Sequence, residues 1–457
     1  MMFALVLSVF AILQPLSATR ADLAFAYLRF EQEFEKANIS DIDQLKTINR
    51  DFDSLTFAFF TGRYNDAIRS INQITARISG NQDFDSLARY KVVISPRVLP
   101  ENSEQKIKIS VTPFYGGVDK DLELSIIGEN NKTILKTKFA WDEEGRGLAE
   151  IENKNFGAGV YQTQLNLNAK QLNSEKFFVL EKPIPDIKKD FMAQTDNVSE
   201  KVNTQWLDIV KSRINLLTDE PNETNSAQFL ANPIELVKSL KSELQSLKKD
   251  ENPFKSFTVD FWINIELERT VPMRIFCANK TNKPKPVIIA LHGAGGDENM
   301  FMDAYGNGMI KKLAEKHDAI VVSPRTEMFT SQPQSVKMLL DFLKACHEID
   351  EKRIFVLGHS MGAGGVATLL DRNENLFAAC AMIAGGRAIT KKHENTRILF
   401  VAGELDPIFN VNNLRRQAES TKNAGNKATI KTYPEHGHTL VVNASLSEVF
   451  RFFFEEK

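Results

Sequence analysis

Cysteine is scarce: Cys277, Cys346 and Cys380 are the only three in 457 residues. An odd, widely spaced set builds no disulfide framework and has no metal-ligand spacing, so these are expected to be small buried hydrophobes, and no metal is required. Charge of one sign is also lacking. A net charge of −2, with no Lys/Arg stripe interleaved with aromatics, leaves no electrostatic footprint for nucleic acid. The apolar run Phe3 to Leu13 covers eleven positions, well short of the roughly 20 that span a bilayer, so no membrane span is expected. Followed by Pro15, Ser17 and Ala18, that run suits the core of a secretory leader cleaved near Ala18, although no Lys or Arg precedes it. The expected workplace is then the cell envelope, periplasm or exterior; the alternative is a buried first helix.

What is present changes texture along the chain. From Ala21 to Ser79 apolar residues recur at helical spacing, and Phe57, Phe59 and Phe60 read as packing core, with a ligand stripe as the alternative. At "YKVVISPRVLP" β-branched alternation begins, with strands expected at Lys106–Pro113, Leu122–Gly128, Lys132–Phe139, Gly147–Glu152 and Gly159–Leu167. Short strands separated by turn signals suggest an immunoglobulin-like sandwich, a module that spaces or binds, with a carbohydrate or protein as its ligand. "EKPIPDIKKD" links to a second helical stretch whose clearest member is "NPIELVKSLKSELQSLKKD". From Ser256 strands and helices alternate, the pattern of a mostly parallel sheet covered on both faces. The expected organisation is a leader at 1–18, helices at 19–90, the sandwich at 91–182, a linker and helical segment at 183–255, and a catalytic α/β domain at 256–457.

Only the last region carries an evident site. The chain has 23 glycines, and four of them fall in "FVLGHSMGAGG" around Ser360. Gly358-His359-Ser360-Met361-Gly362 sits directly after a buried strand and before a helix, where a tight turn lifts a serine hydroxyl above the sheet edge and only small neighbours fit. A serine needs a base, an orienting acid and oxyanion donors. All seven histidines lie between His292 and His438. "YPEHGHTLVV" offers His438 as base, with His436 as the alternative or a residue lining the site. "FVAGELDPIFN" offers Asp406 as acid, with Glu404 as the alternative. Met361, following the serine, and Ala294 in "LHGAGG" are the expected oxyanion donors through their backbone N–H groups. Gly295 lets that loop approach substrate, and His292 fixes it by hydrogen bonds. "HGAGGD" has neither dinucleotide-binding spacing nor a phosphate-loop lysine, and no cofactor is implied.

On these motifs residues 256–457 resemble the α/β-hydrolase superfamily. "VIIALHGAGGDENMF", "VVSPR", "VLGHSMGAGG" and "YPEHGHT" are most similar to polyhydroxybutyrate depolymerase and feruloyl esterase-like esterases, and nearly as similar to the catalytic domain of prolyl oligopeptidase-type peptidases. The resemblance implies a serine carboxylic ester hydrolase acting through an acyl-enzyme. Amide hydrolysis by the same machinery, and a surface-binding protein on a hydrolase scaffold, are the alternatives. Only twelve residues separate Ala384 from Arg397, too few for a helical lid after the nucleophile helix. An open cleft, reached by bulky or polymeric esters and bounded, if at all, by the preceding helical segment or sandwich, is the corresponding expectation.

Overall fold

The computed structural model describes residues 18–81, 84–198, 202–218, 231–254, 260–266, 269–278 and 280–455. The leader reading falls on residues 1–17, outside the described residues. The chain opens with three helices, α1 (Arg20–Ala37), α2 (Ile42–Phe60) and α3 (Tyr64–Ser79), with α1 and α2 both packed on α3. Their boundaries follow from capping. Thr19 and Asp22 form a reciprocal capping box at the start of α1, Asp41 caps α2, and Gly80 ends α3 at φ 68°. The short α4 (Phe84–Ala88) leads into the strands.

Nine strands follow, in two sheets that share one core. The first sheet has the order β1-β3-β7-β6, and the second β2-β9-β8-β4-β5. Their ranges are β1 (Tyr90–Ser95), β2 (Val98–Pro100), β3 (Lys106–Pro113), β4 (Glu123–Ile127), β5 (Thr133–Lys138), β6 (Ala140–Trp141), β7 (Gly147–Glu152), β8 (Gly159–Leu167) and β9 (Lys170–Leu180). Alternation decides which face is inward: Ile107, Ile109 and Val111 of β3 meet Leu124 and Ile126 of β4 in the shared core. β9 is less readable from sequence, because polar residues fill its first half and only Phe177 to Leu180 are buried without a break.

The helices α5 (Ile184–Asp196), α6 (Thr204–Ile214) and α7 (Pro233–Lys248) precede a sheet of eight strands. Its order is β10-β11-β13-β12-β14-β15-β16-β17, comprising β10 (Phe261–Glu266), β11 (Thr270–Cys277), β12 (Lys285–Leu291), β13 (Ile320–Pro324), β14 (Ile349–His359), β15 (Ala379–Ile383), β16 (Arg397–Gly403) and β17 (Lys427–Tyr433). β10 and β11 form an antiparallel hairpin, β11 pairs antiparallel with β13, and the remaining pairs are parallel. This is the α/β-hydrolase fold.

Each face of the large sheet has its own core. Along β12, Val287, Ile289 and Leu291 point into one and Ile288 and Ala290 into the other. Helices Ser335–Cys346 and Met361–Arg372 cover the first face, joined by α5, α6 and α7. Helices Met309–His317 and Val441–Phe454 cover the second, joined by α1, α2 and α3. The three cysteines are buried and free.

Candidate active site

Ser360 stands at the junction of β14 and the helix Met361–Arg372, at φ 54° and ψ −114°. That left-handed backbone is strained for any residue with a side chain. It is held by the Ser360 N–H, which donates to the Ile383 carbonyl at 2.9 Å. The flanking glycines are a matter of space. A Cβ on Gly358 would lie 2.3 Å from the Gly362 carbonyl oxygen, and one on Gly362 would lie 2.0 Å from that of Leu291.

His438 follows β17 and closes on this turn. Its Nε2 is 3.0 Å from Ser360 Oγ, and its Nδ1 is 2.9 Å from Asp406 Oδ2. Since a carboxylate only accepts, Nδ1 carries the proton and the Nε2 lone pair faces the serine hydroxyl. Asp406 is fixed in turn, its Oδ1 accepting from the N–H groups of Ile408 and Phe409 at 2.7 and 2.9 Å. The Phe409 ring stacks on His438 at 5.7 Å between centroids. Glu404, the alternative acid, is instead bound to Arg415 at 2.9 Å.

The remaining expected residues fall into two groups. Ala294 and Gly295 line a cavity that also exposes Ser360 and His438. Among the described residues, the N–H groups of Ala294 and Met361 have no hydrogen-bond acceptor within the protein. His292 is fully buried, with Nδ1 2.8 Å from the Gly293 carbonyl and Nε2 accepting from the Thr326 N–H at 3.0 Å. Burial holds its pKa below the usual histidine value. It braces the loop and does not reach the cavity. His436 is also outside the cavity lining; its ring meets the edge of Tyr433, and its backbone carbonyl accepts from Leu405 N–H at 3.0 Å.

Two supporting layers are not evident from the motifs. His359 Nε2 donates to the His438 carbonyl at 3.0 Å, which leaves Nδ1 to accept from the Tyr305 hydroxyl at 2.8 Å. Burial drives the His359 pKa well below the ordinary value, so it stays neutral. The second layer comes from α2. Asn49 Oδ1 accepts from Gly437 N–H at 2.9 Å, and Asp53 Oδ2 accepts from His438 N–H at 2.8 Å. A Cβ on Gly437 would stand 1.6 Å from Asp53 Oδ2, so the helix crosses the base-bearing loop in contact. Burial raises the Asp53 pKa to about 6, against the opposing hydrogen bond from His438 N–H. The sequence signal was two polar residues, Asn49 and Asp53, four apart beside Ile48 and Phe52 on the apolar face of a helix.

The N-terminal helices bound the expected cleft: α1, α2 and α3 contribute to the wall facing Ser360. The Phe59 ring lies directly over Gly295, where a Cβ would come within 2.1 Å of it. Phe57 and Phe60, expected in the core, are 68% and 62% exposed, because the inward face of α2 is carried by Ile48, Phe52 and Leu55. Among the described residues, no group of three or more His, Cys, Asp or Glu side chains is placed to hold a metal ion.

Residues 299–449 match the model of the dienelactone hydrolase family. A bifunctional acetylxylan esterase/xylanase from Neocallimastix patriciarum is 26% identical over 148 residues, covering 30% of this chain and 22% of that protein. The chain thus spans about a fifth of the length of this curated relative. Among solved structures, a putative dienelactone hydrolase from Klebsiella pneumoniae subsp. pneumoniae has 14% identity and a TM-score of 0.34, over 44% of this chain and 99% of that one. Est1E from Butyrivibrio proteoclasticus has 11% identity and a TM-score of 0.34, over 42% and 95%.

Proposed function

We propose that the protein is a serine hydrolase that cleaves carboxylic esters through an acyl-enzyme. The observation that carries this reading is the unbroken line from Ser360 Oγ through His438 to Asp406, with bonds of 3.0 and 2.9 Å. Ser360 Oγ attacks the ester carbonyl as its proton passes to His438 Nε2, and Asp406 stabilises the imidazolium that forms. The tetrahedral oxyanion takes hydrogen bonds from the N–H groups of Met361 and Ala294; the Met361 group also lies at a helix N-terminus, where the dipole favours negative charge. Collapse of the intermediate breaks the bond to the alcohol oxygen, which leaves with the proton from His438. Water then adds to the acyl-serine, giving its proton to the same nitrogen; collapse breaks the bond from the acyl carbon to Ser360 Oγ, which takes that proton back as the acid leaves. Residues 299–449 match a hydrolase family, and the curated relative is named an acetylxylan esterase, which supports ester over amide cleavage.

Export through the leader expected at residues 1–18 belongs to the same proposal. N-terminal sequencing of the protein from its native host tests it: a start near Thr19 supports export, and an intact Met1 contradicts it.

A panel of p-nitrophenyl esters and aminoacyl p-nitroanilides, run on the wild type and on Ser360→Ala, tests the reaction class. Ester turnover that disappears in the variant is the expected result. Faster turnover of the amides would reassign the protein as a peptidase, and equal activity in the variant would remove Ser360 from the mechanism.

A further inference from the structure

The three N-terminal helices lie outside the segment that matches the hydrolase family, yet they contribute much of the wall that faces Ser360. From α1, α2 and α3 the cavity takes Leu23, Tyr27, Phe52, Leu55, Phe59 and Ile71. From the catalytic half it takes the 294–296 loop, Met300, Tyr305, Ser360 and His438. Both tyrosine hydroxyls are already engaged, Tyr27 with Glu31 and Tyr305 with His359, so these residues present ring surface to the cavity. Arg20 and Thr56 are the polar side chains that the helices add; Arg20 is exposed and bonds the Tyr64 hydroxyl. The cavity volume is about 150 Å³. A cavity of about that size lined by Leu, Ile and Phe accepts benzene and stays dry otherwise.

We propose that α1, α2 and α3 are the specificity element of this enzyme: with the 294–296 loop they form an apolar pocket that accepts one uncharged arm of the ester, up to about the size of a benzene ring, with Phe59 in its wall. The inference rests on the hydrolase reading and adds the substrate class to it. An ammonium arm loses its hydration on entry and finds no carboxylate in the lining, a cost that excludes it. Bulky material is confined to the other arm, which faces solvent. Phe59 is the size determinant because its ring packs on Gly295 of the loop that carries Ala294, and both line the pocket.

The pocket is anchored well enough to act as a fixed wall. Glu31 accepts from Asn443 at 3.3 Å, and Glu35 accepts from Lys312 at 2.9 Å and from Asn307. Together with Asn49 and Asp53 on the base-bearing loop, these bonds tie α1 and α2 to the catalytic half at several points along their length.

Two ester series test the proposal on the full chain: methyl esters of acids of increasing size, and acetates of alcohols of increasing size, each with an ammonium member of matched size. In the wild type, kcat/KM in one series should fall at least tenfold once the arm exceeds about six carbons, the size of the benzene that such a cavity holds. Phe59→Ala should move that cutoff to longer arms, and Phe59→Trp to shorter ones. The same cutoff in all three proteins, or an ammonium arm cleaved as fast as its neutral match, would overturn the pocket. A second readout needs no chemistry: toluene binding to Ser360→Ala, followed by ligand-observed NMR, should saturate, and should be lost when Phe59→Trp is added. Absence of saturable binding also overturns the pocket. Saturable binding without hydrolysis of any ester would leave the pocket standing and remove the hydrolase reading instead.

Discussion

Two helical segments flank the strand region in sequence, and both look alike there, as amphipathic helices of ordinary composition. In the fold they part. α5, α6 and α7 pack on one face of the large sheet, where Arg213 is buried against Glu243 at 3.0 Å, the Trp262 carbonyl at 2.6 Å and the Phe261 ring. α1, α2 and α3 pack on the other face and touch Gly437, His438 and Gly295. Among the described residues the first segment adds no side chain to the cavity lining, while the second borders it. Amphipathic helices therefore carry no functional information by periodicity alone; the face they cover decides whether they stabilise the fold or shape the chemistry.

The contrast can be broken from either side. The largest stability effect is expected on the far face. Glu243→Ala leaves the buried Arg213 guanidinium without its carboxylate, and breaking such a pair costs about 3–5 kcal/mol. Urea denaturation should show that loss, while kcat and KM of the folded fraction stay at wild-type values. A fall in kcat beyond the loss of folded protein would mean that this face also reaches the site.

Gly437→Ala acts on the near face. The added methyl group meets Asp53, so α2 or the base-bearing loop must move. A displacement of about 1 Å at a catalytic group costs on the order of 100-fold in rate. Steady-state kinetics should show the loss mostly in kcat. Replacing Asp53 by Ala in the same chain should recover part of it by making room, and no recovery would place the damage elsewhere.

A smaller effect is expected from pH. Asp53 is raised to about 6 and Glu31 to about 7, both mainly by burial beneath the near-face helices. Each therefore holds a proton in the folded protein that it has lost in the unfolded chain near pH 5. Unfolding releases those protons, so the stability they contribute is full below about pH 4 and is lost as pH rises through about 6 and about 7. For Asp53 the difference is on the order of 2–3 kcal/mol. Asp53→Asn should flatten the decline between about pH 4 and 6 in paired thermal melts, and an unchanged slope would show that Asp53 titrates normally.

What the sequence shows of the site is what lies close in sequence or is forced by fold order. The strand, turn and helix around Ser360 occupy one continuous stretch, and the loops after β16 and β17 must end beside it because parallel strands share one carboxyl edge. The bond from Asn49 to Gly437 spans 388 positions, and no local pattern announces a contact of that range. The glycines show the same division. Gly358 and Gly362 are explained by the turn itself, but Gly437 is explained by a helix from the opposite end of the chain. The apolar stripe of α2 was legible; that Phe57 and Phe60 lie outside it, and that Asn49 and Asp53 lie within it, depended on which partner the stripe met.

The most direct test of the central claim is covalent. After treatment with a fluorophosphonate probe, mass spectrometry of the digested protein should find one adduct per chain, on the peptide that contains Ser360, and none in Ser360→Ala or in heat-unfolded protein. A wild-type protein that remains unmodified, or an adduct that persists in Ser360→Ala, would contradict the account.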